Sequence, residues 1–355
     1  MSFNPSNPDE LPIPDFYDPE DAGRWTYVPD QHATFERAVA WRERFGLRPS
    51  PADEVRVHML LIDLQKDFCF PEGTLYVGGR SGRGAIEDND RTARFIYRNL
   101  ARISDITCTM DTHFPYQIFS PAFWLDEDGR PPAPHREVTA DDVRSGRLRP
   151  NPAVAAWLSD GDVEWLERQV IFYCEELERE GKYTLYLWPP HCILGSAGHA
   201  LAGTIHEARM FHAYARQAEA RVELKGTTPL TEYYSAIGPE VTSTFDGRTL
   251  ARRNEDFLHI LRDSDAVIIA GQAASHCVKS TIEDLLEHTE PALARKVYIL
   301  RDCTSAVAVP DPACPGAFLF DFTPQAEAAL ERFHDAGMHV VESTVPMAEW
   351  PDFPG

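Results

Sequence analysis

The chain has 355 residues, 43% of them hydrophobic, and a formal net charge of −22 at pH 7. That is enough apolar material for one large core, while so acidic a composition argues against nucleic acid and anionic membranes, which are bound through a basic face. No apolar run approaches the ~20 residues that span a bilayer, the start Met1-Ser-Phe-Asn-Pro5 lacks a signal-peptide core, and the seven cysteines show no spaced framework, so a cytoplasmic protein with reduced thiols is expected.

In chain order, Met1 to Pro29 is rich in Pro, Asp and Asn with scattered aromatics (Phe16, Tyr17, Trp25, Tyr27) and reads as an irregular strap. Its aromatics need burial, on the same subunit or on a neighbour in a homo-oligomer. Its acidic residues (Asp9, Glu10, Asp15, Asp18, Glu20, Asp21) read as a solvated face. His32 to Phe45 reads as a helix with Phe35, Val39, Trp41 and Phe45 on its partly buried side. Val57 to Ile62 is an apolar strand closing on Asp63, followed by a helix over Asp88 to Ile103 with Phe95, Ile96 and Leu100 inward.

A second strand ends near Asp111. An insertion of roughly Asp126 to Lys182 opens with the loop Pro131-Pro-Ala-Pro134 and contains a helix, Asp162 to Glu180, whose apolar stripe is Trp165, Leu166, Val170, Ile171, Cys174 and Leu177. It reads equally as a lid or wall over a pocket and as a decoration or oligomer contact. Ala200 to Gln217 is helical, and His199, His206 and His212 lack the i, i+4 spacing of a helical metal pair, so they read as surface or packing residues. Strand Val222 to Lys225, helix Leu250 to Leu261, strand Ala266 to Gly271, a helix from Cys277, strand Lys296 to Arg301, helix Pro324 to Ala336 and strand His339 to Glu342 follow, with a tail from Pro346. Alternating strands and helices predict a three-layer αβα, Rossmann-like parallel sheet of about six strands with helices on both faces. The organisation expected is an extension over 1–54, a core domain over 55–345 and a tail over 346–355.

The stretch from Val267 to Thr281 carries most of the chemistry. A buried strand, a sharp turn at Gly271 and a cysteine in the first helical turn place Cys277 where unpaired amides and the helix dipole favour a thiolate. The competing reading is a small packing residue, which most free cysteines are. In an open parallel sheet, chemistry gathers beyond the carboxyl ends of the strands, where Asp63, Lys225 and Cys277 can converge. There Asp63 would take the thiol proton, Lys225 would hold the carboxylate charged, and Cys277 would attack a carbonyl. A turn-capping Asp and a solvated Lys are the bland alternatives. Asp111 and His113, at i and i+2 of an extended stretch, point to one side, and His191 would complete a two-His, one-carboxylate metal set.

Five motifs, in order, resemble those of the isochorismatase-like cysteine hydrolases, and of nicotinamidases among them. They are Asp63-Leu-Gln-Lys-Asp-Phe68, Asp111-Thr-His113, Trp188-Pro-Pro-His-Cys192, Lys225-Gly226 with Tyr234-Ser-Ala236, and Gly271-Gln-Ala-Ala-Ser-His-Cys277, within a span of about Val55 to Val345. The resemblance implies Asp63, Lys225 and Cys277 as a catalytic triad and Asp111, His113 and His191 as ligands of a divalent metal, zinc first, with iron or manganese as alternatives. It also implies Phe68 and Trp188 as the aromatics flanking a substrate ring, the backbone amides of Ala273 and Cys277 as an oxyanion hole, and a cis peptide at Gln272-Ala273. Gln117 stands where metal-binding members often carry another His, an amide oxygen being a poorer zinc ligand than imidazole. Cys192 is a second candidate thiol, read as a packed neighbour of His191. The activity expected is hydrolysis of a small heteroaromatic amide such as nicotinamide, through a thioester. The retained alternatives are vinyl ether hydrolysis of the isochorismatase type, which needs no cysteine, and a non-catalytic binding protein.

Overall fold

A computed structural model of the chain describes residues 10–180 and 183–354. The start of the predicted strap, Met1 to Asp9, lies outside the described residues, as do Gly181 and Lys182 at the end of the expected insertion, and Gly355.

The centre is one parallel sheet of six strands: β1 (Val57–Ile62), β2 (Asp105–Asp111), β3 (Ala220–Lys225), β4 (Ala266–Gly271), β5 (Val297–Leu300) and β6 (His339–Val341), in the order β6-β5-β4-β1-β2-β3. Every residue of β1 and β4 is buried, as continuous apolar runs require of strands covered on both faces. The longer helices are α1 (Gln31–Phe45), α2 (Gly84–Arg98), α3 (Val163–Glu180), α4 (Gly203–Arg216), α5 (Glu255–Asp263), α6 (Cys277–His288) and α7 (Thr323–Asp335). Phe95 and Ile205 bring α2 and α4 onto the face that carries Met59 and Leu61, and α1 packs outside them against α4, with Ala38 in the same apolar cluster. Phe257, Val278 and Phe333 bring α5, α6 and α7 onto the opposite face, with Leu60 and Ile62. This is the predicted three-layer architecture. The chain starts at the sheet's middle, runs to one edge, then crosses back to build the other half from β4. The crevice beyond the carboxyl ends of β1 and β4 is therefore the place where a ligand fits.

The described part of the strap lies on its own chain. Leu11 N donates to Arg98 O at 2.8 Å, Tyr17 Oη to Asp90 Oδ1 at 2.7 Å and Tyr27 Oη to Glu207 Oε2 at 2.9 Å, while Phe16 packs against Phe211 with ring centroids 5.4 Å apart. The insertion folds around its own apolar cluster, where Leu166, Val170, Cys174 and Leu177 of α3 meet Trp124, Val138 and Trp188. Two short antiparallel pairs, Trp124–Asp126 with Leu148–Pro150 and Arg136–Val138 with Leu185–Leu187, tie it together.

Several expectations change in detail. In α1 the deeply buried positions are Thr34 and Ala38, small enough for close approach to α4, whereas Phe35 is largely exposed and meets Tyr214 edge-on at 5.2 Å. Helix α2 begins at Gly84 rather than Asp88. Helix α5 begins at Glu255 rather than Leu250, because Asn254 caps it by accepting from Phe257 N at 3.1 Å. Among the described residues no helix is long and apolar enough to cross a membrane.

Candidate active site

Sheet register brings the site together. Ile62 pairs with Gly271 and Asp111 with Lys225, so the strand ends that carry Asp63, Lys225 and the Cys277 turn are neighbours across β4-β1-β2-β3. Asp63 leaves β1 with a left-handed φ of 48°. Thr109 of β2 holds it, donating Oγ1 to Asp63 Oδ1 at 2.6 Å and accepting from Asp63 N at 3.1 Å. Gln65 clamps the end of β1 to β2: its Nε2 donates to Asp111 O at 2.8 Å and its Oε1 accepts from Asp111 N at 2.7 Å. Gly271 closes β4 at φ 126°, and a Cβ there would stand 2.0 Å from Ile62 O, so only glycine fits.

The turn after β4 is pinned on both sides. Gln272 N donates to Ile62 O at 2.8 Å and Ala274 N to Ser305 O at 2.8 Å, while Gln272 Nε2 donates to buried Asp88 at 2.8 Å. The Gln272-Ala273 peptide is cis, as the resemblance implied. Neither the Ala273 nor the Cys277 amide N–H has an acceptor among the described residues, so both are free to bind an oxyanion.

Lys225, fully enclosed, is the hub. Its Nζ lies 2.8 Å from Asp63 Oδ2, 3.1 Å from Asp111 Oδ1, 3.5 Å from Cys277 Sγ and 2.9 Å from Tyr233 O. Carboxylate oxygens of Asp63 and Asp111 and the Cys277 sulfur all fall within 4.8 Å of one another. Burial opposes the charge on Lys225, but Asp111, Asp63 and the thiol raise its pKa well above the usual lysine range. Burial raises Asp63, outweighing Lys225, and so makes it a stronger base. The helix terminus favours a thiolate at Cys277, whereas burial pushes the thiol well above the usual range, with Lys225 partly opposing. A thiol that keeps its proton until Asp63 takes it fits that direction.

The second cluster lies next to the first. His113 Nε2 is 3.0 Å and His191 Nε2 3.7 Å from Asp111 Oδ2, and the three donor atoms fit within 4.8 Å. The other nitrogen of each ring is already assigned: His191 Nδ1 faces Pro189 O at 2.8 Å, and His113 Nδ1 faces Gln117 Oε1 at 3.0 Å. A carbonyl oxygen only accepts, so each Nδ1 is the donor to it and Nε2 is the nitrogen turned toward the Asp111 carboxylate, where the three could serve a divalent metal. Gln117, which donates its own N–H to Gly226 O, orients His113 from behind. Gly226, at φ 80°, is the second glycine that the site needs, since a Cβ would come 2.6 Å from His113 Cε1. Cys192 is buried with its thiol raised by burial, a packed residue as expected. His199, His206 and His212 stand outside the cluster.

Phe68 and Trp188 line one cleft together with Cys277, His113 and His191. Sequence reasoning missed Glu232, Tyr233, His276 and Phe119, which also line it. His276 was legible as the residue preceding Cys277; Glu232 gave no signal. Among the described residues none of the 126–182 insertion lines the cleft, but Tyr173 of α3 accepts from Glu232 N at 3.1 Å, so that part of the insertion stands behind the wall as support.

No family model matches the chain. The nicotinamidase of Escherichia coli (strain K12) is 31% identical over 133 residues, 37% of this chain and 52% of that protein. This chain resembles nicotinamidases. The match spans about half the length of that relative. Among solved structures, a yeast nicotinamidase bound to the inhibitor nicotinaldehyde is 18% identical with a TM-score of 0.49, covering 81% of this chain and 99% of that one. An Acinetobacter baumanii nicotinamidase/pyrazinamidase gives 16% and 0.48, covering 81% and 97%. A Pyrococcus horikoshii pyrazinamidase in complex with zinc gives 19% and 0.41, covering 81% and 99%.

Proposed function

We propose that the protein is a cysteine amidohydrolase of the nicotinamidase type, cleaving the C–N bond of a small heteroaromatic carboxamide to give an acid and ammonia. The observation that carries this reading is the meeting of Lys225 Nζ with Asp63 at 2.8 Å and Cys277 at 3.5 Å at the foot of an aromatic-walled cleft.

As sulfur attacks the carboxamide carbon, Asp63 takes the thiol proton. The ammonium of Lys225 stabilises the negative charge moving between carboxylate and sulfur. The oxyanion faces the Ala273 and Cys277 amides, donors typically worth about 3 kcal/mol each in the transition state. Asp63 then delivers its proton to the amide nitrogen, ammonia leaves, and a thioester remains on Cys277. Water attacks this thioester while Asp63 takes a proton from it, and collapse releases the acid and restores the thiol. Phe68 and Trp188 hold the flat ring. Asp111, His113 and His191 would hold a divalent metal, zinc by the character of the donors, which when bound would supply Lewis acidity in the cleft.

Ammonia release from nicotinamide and a panel of small amides, measured for the wild type and Cys277→Ala, tests the reading. Turnover by the wild type and a loss of about 1,000-fold or more in the variant are expected. Unchanged activity in the variant overturns the thioester route, and no turnover of any amide overturns the amidase reading in favour of a binding protein or another hydrolase.

A further inference from the structure

The central sheet has one short edge and one long one. At the short edge β6 has three residues, a length that gives another chain little to pair with. At the other edge β3 runs for six residues in unbroken register with β2, from Ala220 opposite Ile106 to Lys225 opposite Asp111, with no proline and no bulge. Lys225 O accepts from Thr112 N at 2.8 Å, so Lys225, Glu223 and Arg221 turn their backbone groups toward β2, and Ala220, Val222 and Leu224 turn theirs away. Among the described residues the N–H and C=O of Val222 and Leu224 have no backbone partner. Ala220 O accepts from Arg209 Nη2 at 3.0 Å and keeps a second lone pair. Val222 and Leu224, beside Cys108 and Met110, are 36% and 56% exposed, so the open backbone carries open apolar side chains. A long, regular, apolar edge is a template for another strand.

The charges on the opposite face decide which strand fits. Outward backbone groups pair only with outward backbone groups, so a second copy lying antiparallel to the first has its two-fold at Arg221, Val222 or Glu223 when most of the strand is paired. A two-fold at Arg221 sets that arginine against its own copy, and one at Glu223 does the same with the glutamate. Both put like charges directly opposite. The two-fold at Val222 sets Arg221 against the partner's Glu223 and Glu223 against the partner's Arg221. On the other face it apposes the two valines and lays Leu224 against the partner's Ala220.

We propose that β3 is a homodimer edge, two copies pairing antiparallel about Val222 to join their six-stranded sheets into one. Val222 exchanges both of its backbone hydrogen bonds with the partner's Val222, and Leu224 does so with the partner's Ala220. The pairing fastens the strand that ends on Lys225, and it does not depend on which reaction the cleft performs.

Sedimentation equilibrium of the full chain tests it, in salt of about 0.15 M, where a Debye length of about 8 Å screens the distant charges of two acidic copies. Arg221→Glu or Glu223→Arg alone sets like charges opposite each other and should weaken the dimer by about tenfold or more. The two substitutions together restore opposite pairs and should return the dissociation constant to within about threefold of wild type. A strand that had merely lost stability would not be rescued. Register is read by disulfide cross-linking in a Cys314→Ser background, which removes the exposed native thiol. Val222→Cys should cross-link to its counterpart, because directly opposed residues of a hydrogen-bonded pair lie about 5.5 Å apart between Cα atoms, and neither Arg221→Cys nor Glu223→Cys should. If the charge variants do not fold by circular dichroism, the cross-link decides alone. A monomer at about 100 µM, a dimer indifferent to these charges, or cross-linking by Arg221→Cys or Glu223→Cys in place of Val222→Cys overturns the proposal and leaves the edge to solvent or to a strand of another protein.

Discussion

At the scale of single residues, the site depends on one cation shared by three acidic groups. Lys225 is the counter-charge for Asp63 and Asp111, both buried, and it faces the Cys277 sulfur. Its removal takes the only lysine from two enclosed carboxylates, and breaking a buried ion pair in this way typically costs about 3–5 kcal/mol. Lys225→Met is therefore expected to lower the melting temperature by roughly 10 °C and amide turnover by about 1,000-fold or more. Turnover within tenfold of wild type would mean that the amine plays no part in the chemistry. The thiol shows why position in sequence was an incomplete guide to its charge: a first-turn cysteine gains from the helix dipole, but full enclosure at the same place outweighs it.

At the scale of elements, strand ends and the turns beyond them do the positioning. Gln117 sits in the loop after β2 and holds His113 Nδ1 at 3.0 Å while donating to the carbonyl that follows β3. Gln117→Leu should weaken zinc binding by about 10- to 100-fold, read by chelator competition, with the fold intact by circular dichroism. An unaltered affinity would show that His113 is oriented without it. Gly226→Ala tests the same corner from the other strand. The new methyl would meet His113 and Asp111 at less than van der Waals contact, 2.6 and 2.9 Å, on a backbone already at φ 80°. Loss of zinc affinity together with amide turnover is expected, and retention of both would place the metal elsewhere.

At the scale of the whole molecule, buried neutral histidines link stability to pH. His212 of α4 is fully enclosed, donates Nε2–H to Ile103 O at 2.8 Å, and is pushed down to about 4, first by burial and then by Arg216. His58 of β1 is pushed to about 4 by burial. Because an unfolded histidine titrates near ~6.5, the unfolded chain takes up these protons first as pH falls, so stability is lost progressively from about 6.5 down to about 4 and is undiminished above that window. His212→Leu removes one such group. The variant's melting temperature should fall less steeply than the wild type's between pH 7 and pH 5, and equal slopes would show that His212 does not titrate differently on folding.

The amino-acid order alone determined the alternation of elements, the parallel sheet and most of the candidate site, because each of those features is local. Val57–Ile62 and Ala266–Gly271 are apolar runs that end on Asp63 and on a glycine, and the residues after them are read directly from that punctuation. What only the tertiary structure decided is what depends on distant segments closing over one another. The thiol's charge follows from the depth of Cys277, and the strap's docking on its own chain from Tyr17 and Tyr27 reaching α2 and α4. Glu232 is buried because Trp188 and Tyr173, 44 and 59 residues away in sequence, close on its carboxylate and its backbone N–H. Burial is a property of contacts between remote parts of the chain, and no spacing or motif encodes it.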